Sequence, residues 1–362
     1  MTLPTDDHPA KRDRLLKVLA DHGADRLLLT SQTALAWYLD GARIHVNLAA
    51  PPIVAAVVSA DADVIMINSN EADRLTAEEL PSWVTVRQIP WDQSVLQAAT
   101  DALGDGLGPD AGTLVEDDAA DALRDARSPL LPRETARFRR LGTETAALLT
   151  DLLHQAAPHQ VESELAAVVA AGITAIGAEP LVVLVGGESR GQHRHPLATD
   201  APIGRRALVV VCARRHGLVI NVSRWVRFGP ATAAERDADA RILEVEAEFF
   251  AGIRPGATLA DVFASGCRGY GAHGFDAEEW RRHHQGGIAG YAGRDPRGTA
   301  TATDPIRIGQ AFAWNPSAPG AKVEDTVLLT EAGLEVLTFD PRWPSVEVRG
   351  LPRPDVLELP SS

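Results

Sequence analysis

The chain of 362 residues carries 35 Lys+Arg against 49 Asp+Glu, a formal charge of −14 at pH 7, which argues against a nucleic-acid backbone as partner. Hydrophobic residues make up 45% and charged residues 23%, ordinary globular usage, and apolar runs such as Leu181–Val185 and Ala207–Val211 are far shorter than a bilayer span. The only cysteines, Cys212 and Cys267, form no CxxC pair, so any metal would need His and carboxylate ligands, not thiolates. The polar, acidic start Met1-Thr-Leu-Pro-Thr-Asp-Asp-His has neither the basic nor the apolar stretch of a signal peptide. A cytoplasmic, disulfide-free protein with no membrane association is expected, and the length predicts two domains.

Residues 11–22 place Leu15, Leu16, Val18 and Leu19 on one helical face before Gly23. Strands are expected at 25–30, 53–59 and 63–68, with helices at 71–79 and 94–103, an alternation that predicts an α/β first domain over residues 1–128. The prolines in Asp125-Ala-Arg-Ser-Pro-Leu-Leu-Pro mark the boundary. Helices are then expected at 133–157 and 163–177, strands at 181–185, 206–213 and 218–228, a long helix at 232–253, and strands again within 310–338. This order predicts an α+β second domain over 129–345, followed by a tail, 346–362.

Three segments concentrate unusual polar residues. The first, Gly186-Gly-Glu-Ser-Arg-Gly-Gln-His-Arg-His-Pro, puts His193 and His195 on a glycine-rich loop between strands, where imidazoles that titrate near neutrality can shuttle protons. The second, His283-His-Gln-Gly-Gly-Ile-Ala-Gly-Tyr-Ala-Gly-Arg, has glycines that permit close backbone approach but matches no phosphate-loop spacing. The third joins Trp314-Asn-Pro-Ser-Ala-Pro-Gly to Lys322-Val-Glu-Asp-Thr, with Glu324 at the start of a strand. Cys212, at the end of Leu208-Val-Val-Val, reads as a buried small hydrophobe, and Cys267 as helix packing.

In order and content, residues 130–340 resemble the creatinase/aminopeptidase P/prolidase family, which has the pita-bread fold and also includes methionine aminopeptidase. The resemblance rests on the Pro132-Arg-Glu-Thr entry helix, the loop histidine, Asn221-Val-Ser-Arg224, the His-rich glycine loop, Trp-Asn-Pro and the Lys-Val-Glu-Asp-Thr-Val-Leu-Leu-Thr segment. Trp37-Tyr-Leu-Asp-Gly is similar to a Tyr-Leu-x-Gly segment in the smaller N-terminal domain of its creatinase and prolidase branch. The resemblance implies an α+β, pita-bread C-terminal domain preceded by a smaller α/β creatinase-type domain.

The peptidases of that family hold two divalent metals with two Asp, one His and two Glu, and here the matching positions depart from the pattern. Asn221 stands at the second Asp, Val210, eleven residues earlier, at the first, and Asn315 at one Glu; Glu324 and His284 remain. The mutual repulsion of two dications would be almost unscreened on such a set, so no metal is expected; the alternative is one weakly held divalent ion such as Mn, Co or Zn.

Creatinase, within the same family, cleaves a C–N bond without metal by means of a histidine on the first loop. The resemblance therefore implies a metal-independent hydrolase of an amide or amidine C–N bond in a small molecule. His193 or His195, His284 and Glu324 are its candidate catalytic groups, and Asn221, Arg224, Tyr291, Arg294 and Asn315 its candidate substrate contacts. His193 lies seventeen residues ahead of Val210, the family's spacing, and His195 competes with it. Arg224 is expected to hold Glu324 or a substrate carboxylate by a bidentate pair. The alternatives are an Xaa-Pro aminopeptidase or dipeptidase with a degenerate metal site, and a non-catalytic binding protein. The branch also implies a homodimer, in which Arg43, His45 and Asn47 could approach a neighbour's pocket.

Overall fold

The computed structural model describes residues 7–103 and 112–361; the first six residues of the acidic start lie outside the described residues. The chain divides into two compact units, Met1–Arg133 and Glu134–Ser362, a few residues past the break expected after residue 128. No helix among the described residues is long and apolar enough to cross a membrane.

In the first unit α1 (His8–Asp21), β1 (Arg26–Leu29), α2 (Gln32–Tyr38), β2 (Val54–Ser59), β3 (Asp63–Asn68), α3 (Ser69–Glu78), β4 (Thr85–Ile89), α4 (Val95–Leu103), β5 (Thr113–Val115) and α5 (Ala120–Arg127) follow one another. The strands form one mixed sheet in the order β4-β3-β2-β1-β5, antiparallel across β1, β2 and β3 and parallel at both edges. Ser31 caps α2 by accepting from the Ala34 amide at 3.0 Å. The Lys11 ammonium is fully buried and donates to the Trp37 carbonyl at 2.8 Å and to Asp40 at 3.2 Å. This unit is the expected α/β domain.

The second unit contains α6 (Pro132–Leu153), which begins just before the division, and α7 (Glu162–Ala175). A hairpin sheet follows, β6 (Glu179–Gly186), β7 (Arg206–Arg215) and β8 (Leu218–Phe228), then α8 (Ala233–Gly252) and α9 (Leu259–Ala272). Next come β9 (Gly286–Ala289), β10 (Ala311–Trp314), β11 (Ser317–Ala318), β12 (Ala321–Lys322), β13 (Asp325–Thr330) and β14 (Gly333–Val336), and finally β15 (Ser345–Val348), β16 (Leu351–Pro354) and β17 (Leu357–Leu359). Two four-stranded sheets, β17-β8-β7-β6 and β14-β13-β10-β9, carry the unit. Phe249, Trp314, Phe312, Val262 and Val327 fill the main core with α8 and α9. This is the predicted α+β arrangement.

Two expectations need correction, and one helix gains its limits. Residues 346–362 are no tail: β17 pairs in parallel with β8, and β15 with β16. The prolines of β16 hid that strand, but an edge strand tolerates residues without an amide hydrogen. The supposed glycine loop contains β9, where Gly286 and Gly287 have φ of 119° and 151° and a side chain on Gly286 would meet the Ala313 carbonyl. The helix in which Cys267 is expected to pack has no limits legible in the sequence, because glycines interrupt its pattern; it is α9, Leu259–Ala272. Gly266 is where α9 crosses the Phe249 ring of α8, and no Cβ fits there.

A buried ionic chain ties the late strands to this core. Arg353 of β16 grips both oxygens of Glu246 in α8, at 2.6 and 2.7 Å, and reaches Asp325 at 2.8 Å. Arg224 of β8 closes on the other oxygen of Asp325 at 2.9 Å and on the Thr338 carbonyl at 2.6 Å. All four ionic side chains are at most 4% exposed. Removing one member leaves an uncompensated buried charge, which costs about 3–5 kcal/mol. Arg353→Met is expected to destabilise the protein by that order in guanidinium unfolding, and the double variant Glu246→Gln/Arg353→Met to recover part of the loss.

Candidate active site

Extended chain sends alternate side chains to opposite faces, and one face of the β6-β7-β8 sheet forms the floor of a cavity of about 450 Å³. Val182 and Leu184 of β6, Val210 and Cys212 of β7 and Asn221 of β8 line that floor. The ladder pairs Val182 with Cys212, Leu184 with Val210 and Cys212 with Asn221, so these residues follow from strand parity. The walls are His195 from the loop after β6, His284 before β9, Arg294 and Arg297 after β9, and Asn315, Lys322 and Glu324 between β10 and β13.

The cavity thus brings together His195, His284, Asn221, Arg294, Asn315 and Glu324 from the residues singled out in the sequence. Three others lie elsewhere. His193 is exposed and does not line the cavity, whereas His195, also exposed, does. Arg224 turns away from the cavity to Asp325 and does not touch Glu324. Buried Tyr291 donates its hydroxyl to Glu134 at 2.7 Å, anchoring the loop to α6.

Three participants were missed. His283 is buried and faces His195 with an Nε2 to Nε2 distance of 3.0 Å, while its Nδ1 meets Ser317 Oγ at 3.0 Å. Its neighbour His284 lies nearly parallel to His195, with centroids 5.6 Å apart. Lys322 precedes Glu324 by two residues, so parity alone could have placed both on one face. Arg297 had no signal beyond its nearness to Arg294.

Glu324 is buried, and each of its oxygens is engaged: Oε1 by Arg294 Nη2 at 2.5 Å and Oε2 by Lys322 Nζ at 3.3 Å. Although burial opposes ionisation, Lys322 and Arg294 hold its carboxyl below the usual carboxylate range. Burial lowers the Lys322 ammonium, with Glu324 opposing. Burial, reinforced by Lys322, pushes His283 down to about 2; burial with Arg294 and Arg297 pushes His284 down to about 4, and His195 is lowered by burial and Lys322. The three imidazoles are therefore neutral at pH 7, and between His195 and His283 one ring donates while the other accepts. Burial raises the Cys212 thiol to about 12, and its Sγ lies 3.1 Å from Asn221 Oδ1. It stays protonated and is no nucleophile at neutral pH.

A pair of divalent metals does not fit these residues. Val210 offers no donor, Asn221 and Asn315 offer neutral amides, and the one carboxylate is engaged by two cations. Among the described residues His195, His283 and His284 form a compact nitrogen cluster, their ligand atoms within 4.8 Å of one another. Lys322, Arg294 and Arg297 surround it with positive charge unsuited to a dication.

Residues 136–331 match the model of metallopeptidase family M24. Among solved structures, the dipeptidase PepE from Mycobacterium ulcerans is 22% identical with a TM-score of 0.75, over 99% of this chain and 100% of that one. The prolidase from Pyrococcus horikoshii is 18% identical with a TM-score of 0.75, over 92% and 99%. The X-Pro aminopeptidase from Thermotoga maritima is 16% identical with a TM-score of 0.74, over 96% and 99%. At these identities the structures establish the shared pita-bread fold. No curated protein sequence matches. With more than half its length inside the family model, the chain belongs to metallopeptidase family M24, a family of hydrolases.

Proposed function

We propose that this protein hydrolyses a C–N bond, amide or amidine, in a small molecule without a metal. The observation that supports this best is the His195–His283 contact of 3.0 Å at a cavity lined by Val210, Asn221 and Asn315, where the resemblance places metal ligands of the family's peptidases. In this reading His195 takes a proton from water as the water oxygen attacks the scissile carbon. In an amide the carbonyl π pair moves onto oxygen, and the negative charge that develops there faces Lys322 and Arg294; in an amidine the C=N π pair moves onto its nitrogen instead. Collapse of the tetrahedral species breaks the C–N bond, and His195 returns its proton to the departing nitrogen. His283, fixed by Ser317, orients His195 and stabilises its charged form. His284 and Asn221 position the substrate.

Amine release from a panel of small N-acyl compounds and amidines tests this with protein purified without chelator, assayed with EDTA and with added Mn, Co or Zn. Turnover is expected to be indifferent to EDTA, to fall by about 10²–10⁴ in His195→Ala, and to persist in His193→Ala. Activity on Xaa-Pro dipeptides that appears only with added metal would establish the metallopeptidase alternative instead.

The imidazoles also predict how stability depends on pH. A histidine with a depressed folded value stays neutral in the folded state, while the unfolded chain takes up a proton below about 6.5. The stability associated with His284 is therefore fully present above pH 6.5 and is lost as pH falls toward about 4. Denaturant unfolding between pH 7 and 4 should show a shallower decline in His284→Asn than in the unsubstituted protein.

A further inference from the structure

The charges lining the cavity do not balance. Arg294, Arg297 and Lys322 face one carboxylate, Glu324, and the cavity histidines are neutral, which leaves a surplus of two positive charges at neutral pH. Glu324 is shared between Arg294 and Lys322 and is absent from the reach of Arg297, whose side chain makes no hydrogen bond or ion pair among the described residues. Three further atoms in the wall have their hydrogen-bonding capacity unused: His284 Nδ1, Arg294 Nε and Oδ1 of Asn315, a residue only 3% exposed, are buried without a partner. A buried polar atom without a partner is unfavourable, so a group that satisfies Arg294 Nε and Asn315 Oδ1 together is favoured there. Arg294 Nε calls for an acceptor, and Asn315 Oδ1 for a donor.

We infer that the cavity is a receptor for a small organic anion that also carries an N–H, with the anionic group held by Arg297 and the free face of the Lys322 and Arg294 cations, and the N–H donated to Asn315 Oδ1. An N-acyl amino acid is the simplest molecule of this class. The inference names the substrate class of the site proposed above and rests on that site being the reaction centre. It also gives a physical meaning to the changed family positions. Positive charge in this wall is supplied by fixed side chains, which pair with an anionic ligand directly, where a metal would need carboxylates around it.

Binding is measured by calorimetry and by the unfolding midpoint of the full chain at constant ionic strength with four probes: N-acetylglycinate, acetate, neutral N-acetylglycinamide and methylguanidinium. N-acetylglycinate is expected to bind and to raise the midpoint, the neutral amide and acetate to bind at least about tenfold more weakly, and methylguanidinium not to bind. Arg297→Met, at an exposed position with no partner to lose, is expected to fold normally and to weaken N-acetylglycinate by about tenfold or more. Lys322→Met is expected to weaken it further, and Arg297→Met carries the test if that variant does not fold. Equal binding of N-acetylglycinate and N-acetylglycinamide, no binding of any probe, or unchanged affinity in Arg297→Met overturns the anion seat. Acetate binding as tightly as N-acetylglycinate overturns the Asn315 contact. Anion binding without amine release from any member of the hydrolysis panel removes the hydrolase reading and leaves the receptor standing.

Discussion

The carboxylate of Asp325 is the constraint on which the second unit depends. It is fully buried between Arg224 of β8 and Arg353 of β16, and Arg353 is itself locked onto Glu246 of α8. Buried charge of this kind is tolerated only when every member is paired with good geometry, so the network fixes the relative positions of β8, α8, β13 and β16. Glu324 is the adjacent residue and faces the other way, into the cavity. The orientation of the one acidic group in the site is therefore set by a network on the opposite side of the same backbone.

On the cavity side the physical logic is that of charge replacement. A pair of bound dications needs a ring of carboxylates; the lining of this cavity has hydrocarbon, amides and one glutamate with cations beside it. Arg294 and Lys322 each take one oxygen of Glu324, so the carboxylate works within a fixed ionic cluster. The neutral imidazoles lie at the edge of that cluster, where burial first and the cations second disfavour their protonation. A ring that resists protonation at rest is a usable base, and once charged it returns its proton readily.

Much of this was legible in the sequence, and the reasons differ by element. Strand β8 stands out because an apolar run is bounded by Gly217 and by Gly229-Pro230, and the structure gives it the same limits, Leu218–Phe228. The cavity residues Asn221, His284, Asn315 and Glu324 were found through the order of motifs along the chain, which preserves which strand ends meet. What motif order does not carry is the path of the loops: of the two histidines it offers there, His195 reaches the cavity and His193 does not. Arg224 was misassigned although strand parity speaks against it: three residues from Asn221, it must point to the other face. Helix α9 and strand β9 were obscured by glycines, whose presence reflects close approach to Phe249 and to the Ala313 carbonyl. A local pattern cannot show a distant neighbour.

The Asp325 network also bears on how the chain reaches its folded state. Its contacts join residues far apart in sequence, 107 positions between Glu246 and Arg353 and 101 between Arg224 and Asp325. Closing loops of this length costs entropy before any ionic contact returns it, and topologies dominated by such contacts fold slowly. Until β16 arrives, Glu246 lacks the arginine that its burial requires, and Asp325 has only one of its two. The docking of β16 thus supplies half of the ionic support for the backbone at residues 324–325, and with it for the orientation of Glu324 toward the cavity.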